Sequence, residues 1–170
     1  MISNMQGGDV QGASTLTQQF VKITLQENAL KRGDKDAAKA ATTKTYSRKL
    51  QELKYALNVE ENFTKDQILE GYLNLVYYGD QAYGVEAASL NYFGVSSSKL
   101  RLGQAALLAS LIQNPVGYDP VLEPEAAKER RRVALDRIEE LGYITPEEAD
   151  FYDAALREQP WQFAAENTWR

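Results

Sequence analysis

Lys44, Arg48, Lys49 and Glu52 gather three cations and one carboxylate into a single short stretch of chain. On a helix Lys44, Arg48 and Glu52 recur every four residues and Lys49 lies three before Glu52, so all four project to about the same side. Two readings follow from the spacing. One is a solvated helix face laced by i,i+4 ion pairs, each contributing a few tenths of a kcal/mol. The other is a carboxylate set among cations, suited to a substrate that carries phosphate beside the bond being broken. There Arg and Lys neutralise the leaving group and the carboxylate positions or accepts a proton.

A second candidate is the run Gly12-Ala13-Ser14-Thr15-Leu16-Thr17-Gln18-Gln19-Phe20-Val21-Lys22. A hydroxyl-rich helix start offers free N–H groups and the positive end of the dipole to an anion, and it is also what an ordinary N-cap looks like. The absences are as informative. The chain has no histidine and no cysteine. That removes Ser-His-Asp and Cys-His catalysis, His-based iron and zinc sites and disulfides, and leaves acid–base work to carboxylates, Lys, Tyr or water. Ser96-Ser97-Ser98-Lys99 matches an S-x-x-K pattern, but the S-D-N and K-T-G partners of that chemistry are missing. Asn62-Phe63-Thr64 is a sequon by pattern and reads better as helix-capping chemistry.

The elements that must hold these residues are helical. Ser14 or Thr15 opens a helix whose apolar side is Leu16, Phe20 and Val21, after a polar, Gly-containing entry over residues 1–14. Residues 26–43 are Lys-, Asp- and Ala-rich around Gly33 and are expected to form an exposed, mobile insertion. Tyr46, Leu50, Leu53 and Leu57 then fall at helical steps. Thr64 and Gln67 form a capping box before Ile68, Leu69, Tyr72, Leu73 and Val76, with Tyr77-Tyr78-Gly79-Asp80 as the stop. Val85 to Phe93 is a short helix closed by Gly94. Leu102 to Ile112 is apolar nearly all round and predicts a central buried helix, halted by Asn114-Pro115. Pro124 to Leu141 is amphipathic, with Val133, Ile138 and Leu141 expected inward and Arg130, Arg131 and Arg132 outward. Thr145-Pro146-Glu147-Glu148 starts a last helix. No segment alternates long enough for a convincing strand, so the fold class is mainly α.

The chain has 170 residues with 24 acidic and 19 basic side chains, a formal charge of −5. The length suits one domain with a real core. The acidity argues against whole-surface nucleic-acid binding, and neither a membrane span nor a signal peptide is visible.

Taken together the segments resemble the family 51 glycosyltransferases, the peptidoglycan transglycosylase domains of bifunctional class A penicillin-binding proteins and monofunctional transglycosylases. Residues 12–22 resemble the family's second motif and Arg48-Lys49-Leu50-Gln51-Glu52 its third. Lys65 to Gly94 resembles the fourth, through Ile68-Leu69-Glu70, Tyr72-Leu73-Asn74, Gly79, Tyr83-Gly84 and Tyr92-Phe93-Gly94. Leu107-Leu108-Ala109 through Gln113-Asn114-Pro115 to Tyr118-Asp119-Pro120 resembles the fifth.

The resemblance implies a lysozyme-like multi-helix domain over residues 1–158, lacking its N-terminal part, with residues 159–170 a tail or linker. It implies polymerisation of lipid II into β-1,4 glycan strands with release of polyprenyl pyrophosphate, at the outer face of the cytoplasmic membrane. The partners are then lipid II, the growing glycan strand and the membrane surface, with an anchoring segment and a fused transpeptidase domain in the full protein and no nucleic acid. Glu52 becomes the catalytic carboxylate near the departing phosphate. Ser14, Thr15, Gln18, Gln19, Lys22, Lys44, Arg48 and Lys49 become substrate-binding residues. A pyrophosphate substrate is compatible with Mg²⁺, for which no dedicated ligand cluster is visible. Ala13 and Ile23 depart from a usual glycine and asparagine, and residues 26–43 lengthen the link between the second and third motifs. The family's first motif, a Glu-Asp pair followed by Phe and His that carries the proposed general base, has no counterpart: no Glu precedes Glu27. The 170 residues alone are therefore expected to be nearly inactive. The alternative is a non-catalytic module that binds lipid-linked glycan or cell-wall partner proteins.

Overall fold

A computed structural model describes residues 14–157. The expected entry loop, the departure at Ala13 and the tail 159–170 lie outside the described residues. Eight α-helices and one 3-10 turn account for most of the described chain, and an isolated antiparallel bridge between Tyr77 and Tyr83 is the β-pairing among these residues. The protein is mainly α, as the periodicity predicts. Among the described residues no helix is long and apolar enough to cross a membrane. Two compact units divide the chain, residues 1–72 and 73–170.

In the first unit, α1 (Leu16–Lys31) starts where the hydroxyl-rich stretch predicts. Thr15 is the N-cap and its hydroxyl accepts from the Gln18 N–H at 3.2 Å. The helix then runs on through the stretch read as an insertion. Gly33, at φ +74°, turns the chain, Asp34 caps α2 (Lys35–Thr42) by accepting from the Ala37 N–H, and α2 packs on α1. Much of 26–43 is exposed, but Ala29 and Ala38 are buried. The stretch is exposed for the most part, and it is helical for a physical reason. Alanine is the strongest helix former, and a methyl face packs closely against a neighbouring helix while showing no large-residue periodicity.

Thr45 caps α3 (Tyr46–Asn62), which also packs on α1. Its apolar residues point away from that contact: Tyr46 is 94% exposed and Leu50, Leu53 and Leu57 are exposed, while the buried positions are Glu52 and Ala56. Thr17 donates to Glu60 at 2.6 Å and so ties α1 to the far end of α3. The Lys65 and Thr17 bonds hold the Glu60 carboxyl below the usual carboxylate range. The Thr64–Gln67 capping box opens α4 (Lys65–Leu73) with both reciprocal bonds made. Phe20 lies against the α4 backbone at Gly71, where a Cβ would come within 2.9 Å of the ring.

In the second unit the chain leaves the helical path at Leu73, short of the expected Val76, and turns back through the Tyr77–Tyr83 pair. Gly79 (φ +97°) is required there, because a Cβ would sit 2.7 Å from the Tyr92 hydroxyl and 2.8 Å from the Pro115 carbonyl. Helix α5 (Val85–Phe93) ends on left-handed Gly94, as expected. Helix α6 (Leu102–Leu111) is the buried helix its composition predicts, with Leu107 and Leu111 fully enclosed against α7 (Pro124–Glu140) and α8 (Pro146–Arg157).

The orientation of α7 differs from the expected one. Val133 and Leu141 are exposed, and the inward row is Ala127, Arg131 and Leu135. Arg131 is wholly buried because Asp153 of α8 accepts from both Nε and Nη2, at 3.1 and 2.7 Å. Removing one partner of such a pair strands the other charge in the core. Asp153→Ala is therefore expected to lower the unfolding free energy by about 3–5 kcal/mol in urea titrations, with Asp153→Asn recovering part of the loss. A change too small to measure would show that the pair is not structural.

Candidate active site

The site is built from one helix start and one helix face of the first unit. The Thr15 cap places Ser14 at the mouth of α1. Across from it, the first three turns of α3 carry Arg48, Lys49 and Glu52. The Lys49 ammonium donates to the Ser14 hydroxyl, which joins the two stretches across 35 residues of sequence. It also reaches Glu52 Oε2 at 3.3 Å. Arg48 takes the other carboxylate oxygen through Nη1 and donates its Nε to the Thr43 carbonyl.

Glu52 is the unusual member. Only 2% of it is exposed. A carboxylate taken out of water is costly unless paired, and here each oxygen has its own cation. Lys49, by contrast, stays part-exposed. Burial, then the charges of Arg48 and Lys22, hold its ammonium below the ordinary lysine range. Lys22 thus lies close enough to act on Lys49 electrostatically, which draws α1 itself into the same field.

Two cavities adjoin the pair. One, of about 350 Å³, is lined by Lys44, Thr45, Tyr46, Arg48 and Lys49. The other, of about 380 Å³, is lined by residues of α1, α2 and α3, Glu52 and Arg48 among them. Thr45 and Arg48 line both.

Of the nine residues expected at the site, Ser14, Arg48, Lys49 and Glu52 form one bonded cluster, and Lys22 and Lys44 surround it. Thr15 serves as the cap. Gln19 accepts from the Tyr72 hydroxyl at 3.1 Å, while the Gln18 side-chain oxygen is buried without a partner among the described residues. Sequence reasoning passed over Thr43, whose carbonyl orients Arg48, and Arg32, which lines the larger cavity. The Gly33-Asp34 turn and cap was the available signal for Arg32, since it fixes where α1 ends. Among the described residues no group of three or more Asp or Glu side chains could hold a metal ion, and Glu52 is already committed to two cations. The described residues by themselves therefore do not make a resident Mg²⁺ site.

The cluster leaves cations in excess: Arg48 and Lys49 pair with the single buried carboxylate, Lys22 acts on Lys49, and Lys44 lines the smaller cavity beside them. It can receive a phosphate-bearing group, exchange part of the Glu52 pairing for the incoming anion, and keep that carboxylate beside the phosphate. Because Glu52 supports the charged form of Lys49, Glu52→Gln should drop the Lys49 titration still further below the ordinary range. Side-chain NMR of the Lys49 ammonium reads this directly, and an unchanged or raised value would mean that the two groups are not coupled.

The family model described as Transglycosylase matches residues 1–139. The chain is 41% identical over 141 residues to Penicillin-binding protein 2D of Bacillus subtilis (strain 168), covering 83% of this chain and 18% of that protein. It is 40% identical over 164 residues to Penicillin-binding protein 1A of Aquifex aeolicus (strain VF5), covering 96% and 20%. A crystal structure of Penicillin-Binding Protein 1A from Haemophilus influenzae is 28% identical over 87% of this chain and 17% of that chain, with a TM-score of 0.49. The chain thus spans about a fifth of the length of the curated relatives it matches.

Proposed function

The chain belongs to the transglycosylase family, that of the peptidoglycan glycosyltransferase domains of class A penicillin-binding proteins, and from that premise we propose that it carries the donor side of a glycan polymerase. The donor is lipid II or the growing strand, held by its polyprenyl pyrophosphate at the outer face of the cytoplasmic membrane. The bond that breaks joins the anomeric carbon to the pyrophosphate, and the acceptor sugar's 4-hydroxyl oxygen forms the new glycosidic bond with inversion. The electron pair departs onto the pyrophosphate, and the hydroxyl proton goes to the general base of the first motif.

One observation supports this above the others: Glu52 is buried between Arg48 and Lys49 while Lys49 also holds Ser14, which joins the second and third motifs in one cluster. In the mechanism the cations take up the charge that develops on the leaving phosphate, and they act in a site partly shielded from water. Arg48 is oriented for this by the Thr43 carbonyl. Glu52 keeps Arg48 and Lys49 in place before the donor arrives and assists beside the departing phosphate. Ser14 and the N–H groups at the start of α1 add neutral donors. Residues 1–158 are the part of the domain that performs this, and residues 159–170 are a tail or linker. A fused transpeptidase domain and a membrane anchor complete the protein.

The 170 residues hold no counterpart of the general-base motif, and general-base catalysis supplies about 10²–10⁴ in rate. By itself the chain should bind a polyprenyl pyrophosphate without measurable lipid II polymerisation; turnover at the rate of a complete relative would refute this. In a chain that includes the first motif, Glu52→Gln should cut polymerisation by about 10²-fold or more while circular dichroism stays that of the folded protein. Unchanged turnover would remove Glu52 from the mechanism. Binding with no turnover in that longer chain would favour the non-catalytic alternative.

A further inference from the structure

The cavity of about 380 Å³ beside Glu52 has a wall that the second and third motifs do not supply. The start of α3 and its cap supply Thr45, Ser47, Arg48, Gln51 and Glu52; the opposite wall comes from residues 25–41, with Arg32 at the C-cap of α1 and Ala37, Ala40 and Ala41 from α2. The placement of Arg32 is determined by the backbone. It is the C-cap of α1, the Gly33 and Asp34 N–H groups donate to the Leu30 and Ala29 carbonyls at 2.9 Å, and Asp34 caps α2. No hydrogen bond or ion pair among the described residues engages the Arg32 guanidinium. Arg48, by contrast, is already bound to Glu52 and Thr43.

We propose that Arg32 is a further substrate-binding residue, which takes the second phosphoryl group of the donor pyrophosphate in the α1–α2–α3 cavity and so sets a preference for pyrophosphate over monophosphate. The geometry behind this is the sharing of Arg48 by two cavities. The smaller one offers Lys44 and Lys49 to one phosphoryl group, and the larger one offers Arg32 to the other. A guanidinium suits the task, because its planar fork meets two phosphate oxygens in one fixed geometry, whereas an ammonium acts as a point charge. The α2 wall is made of methyl groups, so the cavity has room for the group beside that cation and no competing hydrogen-bond donors on that side. Arg32 and Lys31 are both exposed and both can serve as a cation at the negative end of the α1 dipole, but only Arg32 lines the cavity. The inference rests on the donor-site reading of the Arg48–Lys49–Glu52 cluster.

The test is calorimetric titration of the 170-residue chain with farnesyl pyrophosphate and farnesyl monophosphate. Arg32→Ala should weaken pyrophosphate binding by about tenfold or more and leave monophosphate binding nearly unchanged. Arg32→Lys should recover part of the loss, and Lys31→Ala should behave as the parent. Ala37→Leu, which adds bulk to the wall without touching a charge, should reduce the pyrophosphate preference in the same direction. If Arg32→Ala binds both ligands as the parent does while Arg48→Ala weakens both, Arg32 has no part in the site and the donor reading stands. If the parent binds neither ligand, the donor reading fails and this inference fails with it. Thermal unfolding of each variant separates a lost contact from a lost fold.

Discussion

A carboxylate that is almost wholly buried has to be compensated, and the first unit is organised around compensating Glu52. Its two oxygens face Arg48 and Lys49, which share its helix at i−4 and i−3, so the pairing is set by the pitch of α3. Arg48 is anchored in turn by the Thr43 carbonyl just ahead of the helix, and Lys49 by Ser14 at the start of α1. The order of these dependencies matters. Thr15 and Thr45 cap their helices, the caps fix where Ser14 and Arg48 lie, and those positions make burial of the charge tolerable. A pair of this kind adds little to stability for its desolvation cost. In the function proposed above, its value is a set of cations held ready for an anionic group.

The same constraint explains which parts of the fold were legible in the sequence. Ends of helices were readable because they are written in local chemistry: the Thr15 cap, the Thr64–Gln67 and Thr145–Glu148 boxes and the Gly94 stop all stand where their residue types require. Helix α6 was readable because an element apolar on every side has few alternatives to burial. Orientation was less readable. On α3 the large apolar residues lie outward and a carboxylate lies inward, and on α7 the inward row contains an arginine. In both cases a charged side chain is buried with a partner, Arg48 and Lys49 for Glu52 and Asp153 for Arg131. An apolar periodicity count places every charge at the surface and so assigns the wrong face.

The stretch 26–43 shows the complementary blind spot. Its helices are held by alanine methyl groups, by one left-handed glycine and by one aspartate cap, none of which registers as a hydrophobic stripe. The candidate site was legible in Ser14, Arg48, Lys49 and Glu52, which carry motif positions and helical spacing. Arg32 was legible only as the residue before the Gly33–Asp34 stop, since its place at the cavity depends on where α2 folds back. The consequence is chemical: the segment that lengthens the link between two motifs also walls the cavity next to the buried carboxylate.

The central claim is that the Arg48–Lys49–Glu52 cluster receives a phosphate leaving group, and the Lys49 ammonium reports on it from inside. Its titration can be followed by side-chain NMR with and without saturating farnesyl pyrophosphate. An anion placed against the cluster favours the charged form, so the account predicts that the lowered Lys49 pKa rises towards or beyond the ordinary lysine range when the ligand binds. A Lys49 titration that does not move under saturating ligand would contradict it.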